Sequence, residues 1–129
     1  MTPGPSPRAF DPATLALLDS AIEVDIETAA GEAGARRRTI IWVVVVDDQV
    51  LVRSVRGTRG RWYRDLQAAP EGMLHVEGRT FAFIVVAAVD KESVDRCSRA
   101  LARKYAADPA LRSMLRPDVL GTTLRLVPA

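Results

Sequence analysis

Between Leu51 and Leu66 the chain reads Leu-Val-Arg-Ser-Val-Arg-Gly-Thr-Arg-Gly-Arg-Trp-Tyr-Arg-Asp-Leu, and groups able to hold an anion crowd into its middle. Ser54 supplies a hydroxyl, Arg53 and Arg56 supply forked donors, and Gly57 and Gly60 let backbone amides approach a ligand closely. A helix starting near Arg61 adds the positive end of its dipole. Such a cradle suits a phosphate. The same residues also read as a basic loop whose Trp62 and Tyr63 are core anchors, and the run alone leaves both readings open.

The surrounding charge favours an anion. From Arg36 to Arg64 there are eight arginines against Asp47 and Asp48, a segment of +6, so the rest of the chain carries −4 of the formal net charge of +2. A positive field this localised recruits anions.

Other reactive side chains stand alone. His75 is the sole histidine and sits in an expected strand between Leu74 and Val76, where a solvent-facing role is the ordinary one. Cys97 is the sole cysteine and lies on the apolar stripe of an expected helix, as a small buried hydrophobe does. Neither a hydrolytic triad nor a disulfide framework nor a multi-thiolate metal site can be assembled from these. Glu23, Asp25 and Glu27 alternate along one strand and read as a solvated face rather than a cation site. No glycine-rich loop of the nucleotide-triphosphatase or dinucleotide type occurs. An enzyme built this way must borrow its hard chemistry from a bound organic cofactor.

The elements that position these groups follow from pattern. Prolines at positions 3, 5 and 7 mark residues 1–9 as a disordered arm and leave residues 10–129 as one domain. Asp11-Pro12 starts a helix carrying Leu15, Leu18 and Ile22. Ile22, Val24 and Ile26 then alternate with the three acids as a strand. Gly31 to Gly34 is a loop, and Thr39 to Val46 is a strand apolar on both faces. It turns at Asp47-Asp48 into a partner strand, Val50 to Val55. A short helix, Arg61 to Ala69, ends at Pro70. A second hairpin pairs Met73 to Val76 with Arg79 to Val89, and Asp90 caps a helix with Val94, Cys97, Leu101 and Tyr105 on its apolar face. After an irregular piece comes a last strand, Gly121 to Val127. The sum is a mainly β, α+β chain of about six antiparallel strands and two or three helices, and closing such a sheet into a small barrel removes its exposed edges.

With 129 residues, 48% hydrophobic and 26% charged, the composition is that of one soluble globular domain. The apolar runs Ile40 to Val46, of seven residues, and Phe81 to Val89, of nine, are far short of the ~20 a membrane span needs. The N-terminus lacks a signal-peptide pattern, so a cytoplasmic location is expected. Nucleic acid is a poor candidate partner, because the total charge is nearly balanced and the aromatic pair is adjacent rather than spread along a platform.

The order of strand, Ser-x-x-Gly loop, Trp62-Tyr63 at a helix start, Pro70, and the pair Leu74-His75-Val76-Glu77-Gly78-Arg79-Thr80-Phe81 resembles the split β-barrel flavin- and deazaflavin-binding proteins. These include the pyridoxamine-phosphate-oxidase-like and deazaflavin-dependent nitroreductase groups. From Phe10 to Pro128 the chain is also similar to a small bacterial family of unknown function within that fold. The resemblance implies a flavin mononucleotide (FMN) or deazaflavin cofactor and a small-molecule substrate in an oxidoreductase, or a cofactor-free binding or assembly module that kept the barrel. It also implies a homodimer. Carried onto this sequence, it points to Arg53, Ser54, Arg56 and Gly57 at the phosphate, Arg38 and Thr39 at a strand start beside it, and Trp62 and Tyr63 lining or supporting the pocket. No metal is implied. Asp65 departs from the asparagine common in deazaflavin-dependent relatives.

Overall fold

A computed structural model describes residues 9–31 and 34–129; of the arm expected over residues 1–9, all but Ala9 lies outside the described residues. Asp11 caps helix α1 (Pro12–Ser20), accepting the Thr14 N–H at 2.7 Å. Strand β1 (Val24–Ala29) alternates as expected, with Val24, Ile26 and Thr28 buried and Asp25 and Glu27 on the wetter face. Ile22 departs from expectation. It precedes the strand, is 64% exposed, and its carbonyl accepts the Tyr105 hydroxyl at 2.7 Å instead of pairing in the sheet.

The largest correction concerns the apolar run. The single strand expected over Thr39 to Val46 is two strands, β2 (Arg36–Ile41) and β3 (Val44–Val46), broken at Trp42 and Val43. Val43 makes no ladder bond there: its N–H donates to the Tyr105 hydroxyl at 3.3 Å and its carbonyl accepts Lys104 Nζ at 2.7 Å. Side chains of a distant helix therefore satisfy the backbone groups that a continuous strand would have paired. Asp47 and Asp48 form the expected tight turn, with φ of 51° and 61°, the left-handed conformation that twisted hairpins require. It leads to β4 (Gln49–Val52), shorter than expected.

A single 3₁₀ turn (Gly57–Arg59) precedes α2 (Arg61–Ala68), and β5 (Glu71–Val76) and β6 (Arg79–Ala87) form the second hairpin. Helix α3 (Lys91–Lys104) is capped by Asp90, whose carboxylate accepts the Ser93 N–H. Two one-turn helices, α4 (Leu111–Met114) and α5 (Pro117–Leu120), occupy the stretch read as irregular, before β7 (Leu124–Pro128). The described residues thus hold seven strands and five helices.

All seven strands form one antiparallel sheet in the order β2-β1-β5-β6-β7-β4-β3. Its two edge strands, β2 and β3, are consecutive in the chain. The sheet therefore curls until its edges meet at Trp42 and Val43 without pairing, and the product is a split barrel. Inside it lie Ile26, Val50, Val52, Leu74, Phe83 and Leu126 with Leu18 of α1 and Leu66 of α2. Outside, Val44 and Leu51 pack under Cys97 and Leu101 of α3. This second cover is why the β3–β4 hairpin is apolar on both faces. No helix among the described residues is long and apolar enough to cross a membrane.

Gly72 in β5 is a point of close approach: a Cβ there would stand 2.3 Å from the Glu27 carbonyl oxygen and 2.8 Å from Phe83 Cζ. Gly72→Ala is expected to force β1 and the Phe83 ring aside and to lower stability by about 1–3 kcal/mol. Urea unfolding checks this, and an unchanged midpoint would contradict it.

Candidate functional site

At the end of β4 the chain turns sharply. Gly57 N–H donates to the Ser54 carbonyl at 3.0 Å, Ser54 Oγ donates to the Gly57 carbonyl at 2.8 Å, and the Ser54 N–H is held by Thr122 Oγ1 at 3.0 Å. Gly57 has a φ of +62° and Gly60 lies so close beneath Ser54 that a Cβ on it would stand 2.3 Å from Ser54 Oγ. Any larger residue at position 60 would displace the hydroxyl. No side chain caps α2, so its first-turn amides lack a side-chain acceptor.

Between this turn and β2 lies an open cleft of about 510 Å³. It brings together six of the eight residues singled out from sequence: Arg38, Thr39, Arg53, Ser54, Arg56 and Trp62. Gly57 stands behind the wall, against the Asp118 carbonyl, and Tyr63 packs edge-on to Trp62, their centroids 6.4 Å apart. The cleft also takes Arg37, Arg61, Ile41, Trp42 and Met114, which sequence reasoning did not assign. Arg61 belonged to the same basic run and Trp42 was the one aromatic in a β-branched stretch, so both carried a signal. Met114 carried none.

Six of the eight arginines between Arg36 and Arg64 fall into three groups. Arg36, Arg37 and Arg38 on β2 are neutralised by neighbours: Arg36 Nε meets Glu27 at 2.8 Å, Arg37 Nε meets Asp65 at 3.0 Å and Arg38 Nη2 meets Asp25 at 3.0 Å. Thr28 Oγ1 also donates to Asp65 at 2.8 Å. Arg36, and after it His75 at 2.8 Å, holds the Glu27 carboxyl below the usual range, and His75 is bonded on its other nitrogen to Thr80 at 3.1 Å. The acids read as a solvated face thus balance part of the +6 segment in space.

Arg53 forms the second group. It is 1% exposed, and its guanidinium is engaged inside the protein: Nε donates to Thr123 Oγ1 at 3.0 Å, Nη1 to Ser98 Oγ and the Met114 carbonyl at 3.0 Å each, and Nη2 to the Val94 carbonyl at 3.1 Å. Among the described residues no carboxylate lies within 4 Å of it. Burial pulls its guanidinium below the usual arginine range. In the structure Arg53 ties β4 to α3, α4 and the start of β7, and borders the cleft as part of its wall.

The third group has its donors available. Arg56 and Arg61 line the cleft, and among the described residues no carboxylate lies within 4 Å of either. Arg56 lies in the Ser54–Gly60 turn and Arg61 directly follows it, and Ile41, Trp42 and Trp62 line the same cleft. A cleft lined by both can take an anion and a flat apolar ring.

Comparison with known proteins agrees with this architecture. The family described as "Uncharacterized protein conserved in bacteria" (DUF2255) matches residues 14–126. Among curated proteins none matches. A conserved hypothetical protein of Mycobacterium tuberculosis is similar in fold, with a TM-score of 0.71 and 15% identity over 98% of this chain and 86% of that one. A proposed pyridoxamine 5′-phosphate oxidase from Listeria innocua matches with a TM-score of 0.65 and 10% identity over 90% of both chains. The haem storage protein HutZ of Vibrio cholerae matches with a TM-score of 0.62 and 15% identity over 94% of this chain and 91% of that one. These likenesses establish the split-barrel fold.

Proposed function

The chain belongs to that bacterial family, and we propose that its cleft binds FMN or a deazaflavin coenzyme, making the protein a cytoplasmic oxidoreductase that passes hydride between the cofactor and a small organic acceptor. One observation carries this reading: Arg56, Arg61, Ser54 and Gly60 line the same cleft as the apolar side chains of Ile41, Trp42 and Trp62. A phosphorylated, flat, largely apolar ring is the ligand that uses both. The cleft volume lies within the range of about 300–1,000 Å³ common to cofactor sites. The Listeria innocua protein of similar fold, itself only a proposed oxidase, supports the reaction class.

When bound, the cofactor supplies the hydride chemistry. The chain's own part is positional. Arg56 and Arg61 fix the phosphate and the first-turn amides of α2 add their dipole end, while Ser54 Oγ, whose one proton goes to the Gly57 carbonyl, shapes the turn rather than donating to the ligand. Trp42 and Ile41 exclude water from the ring. The visible spectrum of the purified protein, before and after FMN or deazaflavin is added, tests this. Quenching of ligand fluorescence is the expected result, and affinity no tighter than about 1 mM (~4 kcal/mol) contradicts it.

A second reading, a cofactor-free binding or assembly module, is favoured by Arg53, whose donors serve the fold rather than the cleft. It requires a colourless protein that no flavin titrates; a yellow preparation overturns it. In either reading we place the chain in a homodimer, since Ile40 at 63% and Ile84 at 41% exposure leave apolar side chains on the outer face of the sheet. Sedimentation equilibrium at micromolar concentration is expected to give twice the chain mass, and a monomer mass contradicts it.

A further inference from the structure

The cleft is not the only hollow that the basic segment lines. A second one, of about 380 Å³, includes Arg37, Arg61 and Arg64. Arg37 and Arg61 line both spaces, so the two adjoin across these side chains. Arg56 lines the cleft alone and Arg64 the hollow alone. One face of α2 builds the hollow: Arg61, Arg64, Asp65 and Ala68 stand at i, i+3, i+4 and i+7, the spacing that aligns side chains along a helix. Ala68 and Ala29, the last residue of β1, present only methyl groups there, which leaves the space open.

The hollow is positive, with three guanidiniums against one carboxylate among the described residues that line it, a formal +2. That carboxylate is already engaged, because Asp65 Oδ2 accepts both Arg37 Nε at 3.0 Å and Thr28 Oγ1 at 2.8 Å. Arg37 uses only Nε in this pair, and its terminal nitrogens make no hydrogen bond to the described residues. Arg61 and Arg64 are exposed, and among the described residues no carboxylate lies within 4 Å of either. A single phosphate held by Arg56 and Arg61 leaves Arg64 without an anion. Arg64 stands one helical turn from Arg61, about 5–6 Å between Cβ atoms, a step over which two forked guanidiniums can grip adjacent phosphates.

We propose that the hollow is a second phosphate subsite, so that cleft and hollow together take a diphosphate: Arg56 and Arg61 at the first phosphate, Arg64 and the free end of Arg37 at the second. The subsite deepens the cofactor reading and rests on it for the ring. The flavin that fills both spaces is flavin adenine dinucleotide (FAD), and FMN fills the cleft alone.

Titration calorimetry of the full-length protein with FMN, FAD, inorganic phosphate and inorganic pyrophosphate tests this, in about 0.15 M salt to screen remote charges. FAD is expected to bind at least about tenfold more tightly than FMN, the gain from one further charge-assisted contact. Pyrophosphate, which has neither ring nor adenosine, is expected to bind at least about tenfold more tightly than phosphate for the same reason. Arg64→Ala is expected to erase both advantages while FMN stays within about threefold of its wild-type affinity. FAD that binds no tighter than FMN overturns the proposal. So does an advantage that survives in Arg64→Ala, since adenosine or total charge would then carry it. If Arg64→Ala folds poorly, Arg64→Gln removes the same charge with most of the side chain kept, and the wild-type comparison of pyrophosphate with phosphate decides by itself when the two bind equally, which overturns the subsite. FMN binding without any preference for FAD removes the subsite and keeps the cofactor reading. Pyrophosphate binding that depends on Arg64, in a protein that takes up neither flavin, keeps the subsite and removes the cofactor reading.

Discussion

Arg53→Leu is expected to cost the fold about 3–5 kcal/mol, the range for breaking a buried, hydrogen-bonded charge arrangement. The reason is the reach of one guanidinium. It bridges Ser98 Oγ and the Val94 carbonyl in α3, the Met114 carbonyl in α4 and Thr123 Oγ1 before β7. A leucine leaves these acceptors facing an apolar side chain, each bond to a charged donor being worth ~1.5–3 kcal/mol without strict additivity. Arg53→Lys keeps the charge but offers a single compact ammonium, so it is expected to recover less than half of the loss. Urea unfolding measures both. A midpoint for Arg53→Leu that corresponds to less than about 1 kcal/mol would show that the bridge contributes little.

The second large effect concerns binding without folding. Arg56→Ala and Arg61→Ala each remove a charge-assisted contact to a phosphate and are expected to weaken FMN by ~1.5–3 kcal/mol, about 10- to 150-fold. Neither arginine has a carboxylate within 4 Å among the described residues, so their loss is expected to leave stability within ~0.5 kcal/mol of wild type. Titration calorimetry beside a thermal melt separates the two quantities. Unchanged affinity in both variants would take these residues out of the site. Arg53 and Arg56, three apart in sequence, are thus predicted to act on different things, one on the fold and one on the ligand.

How far this was legible in sequence depends on the range of the interactions. The caps at Asp11 and Asp90 and the turn at Asp47-Asp48 were readable because the deciding contact lies within three residues. The break at Trp42 and Val43 was not. Nothing in Ile40 to Val46 signals a turn, and the bend is set by curling of the sheet and by Lys104 and Tyr105, which bind Val43 from 61 and 62 residues away. The cleft followed the same rule. The Ser54–Gly60 cradle is local chemistry, and the structure places Arg38 and Thr39 beside it. The inward turn of Arg53 depends on acceptors 41 to 70 residues distant, and no local pattern marks it. Likewise the run Arg36 to Arg38 stands out as charge along the chain, yet in space Glu27, Asp65 and Asp25 answer it.

The most direct measurement is titration calorimetry of the wild-type chain with FMN and, in parallel, with riboflavin, which has the ring but no phosphate. A cleft that holds both a ring and a phosphate predicts FMN binding at least about tenfold tighter than riboflavin, a difference of ~1.4 kcal/mol or more. Equal affinity for the two, or heat from neither, would contradict it.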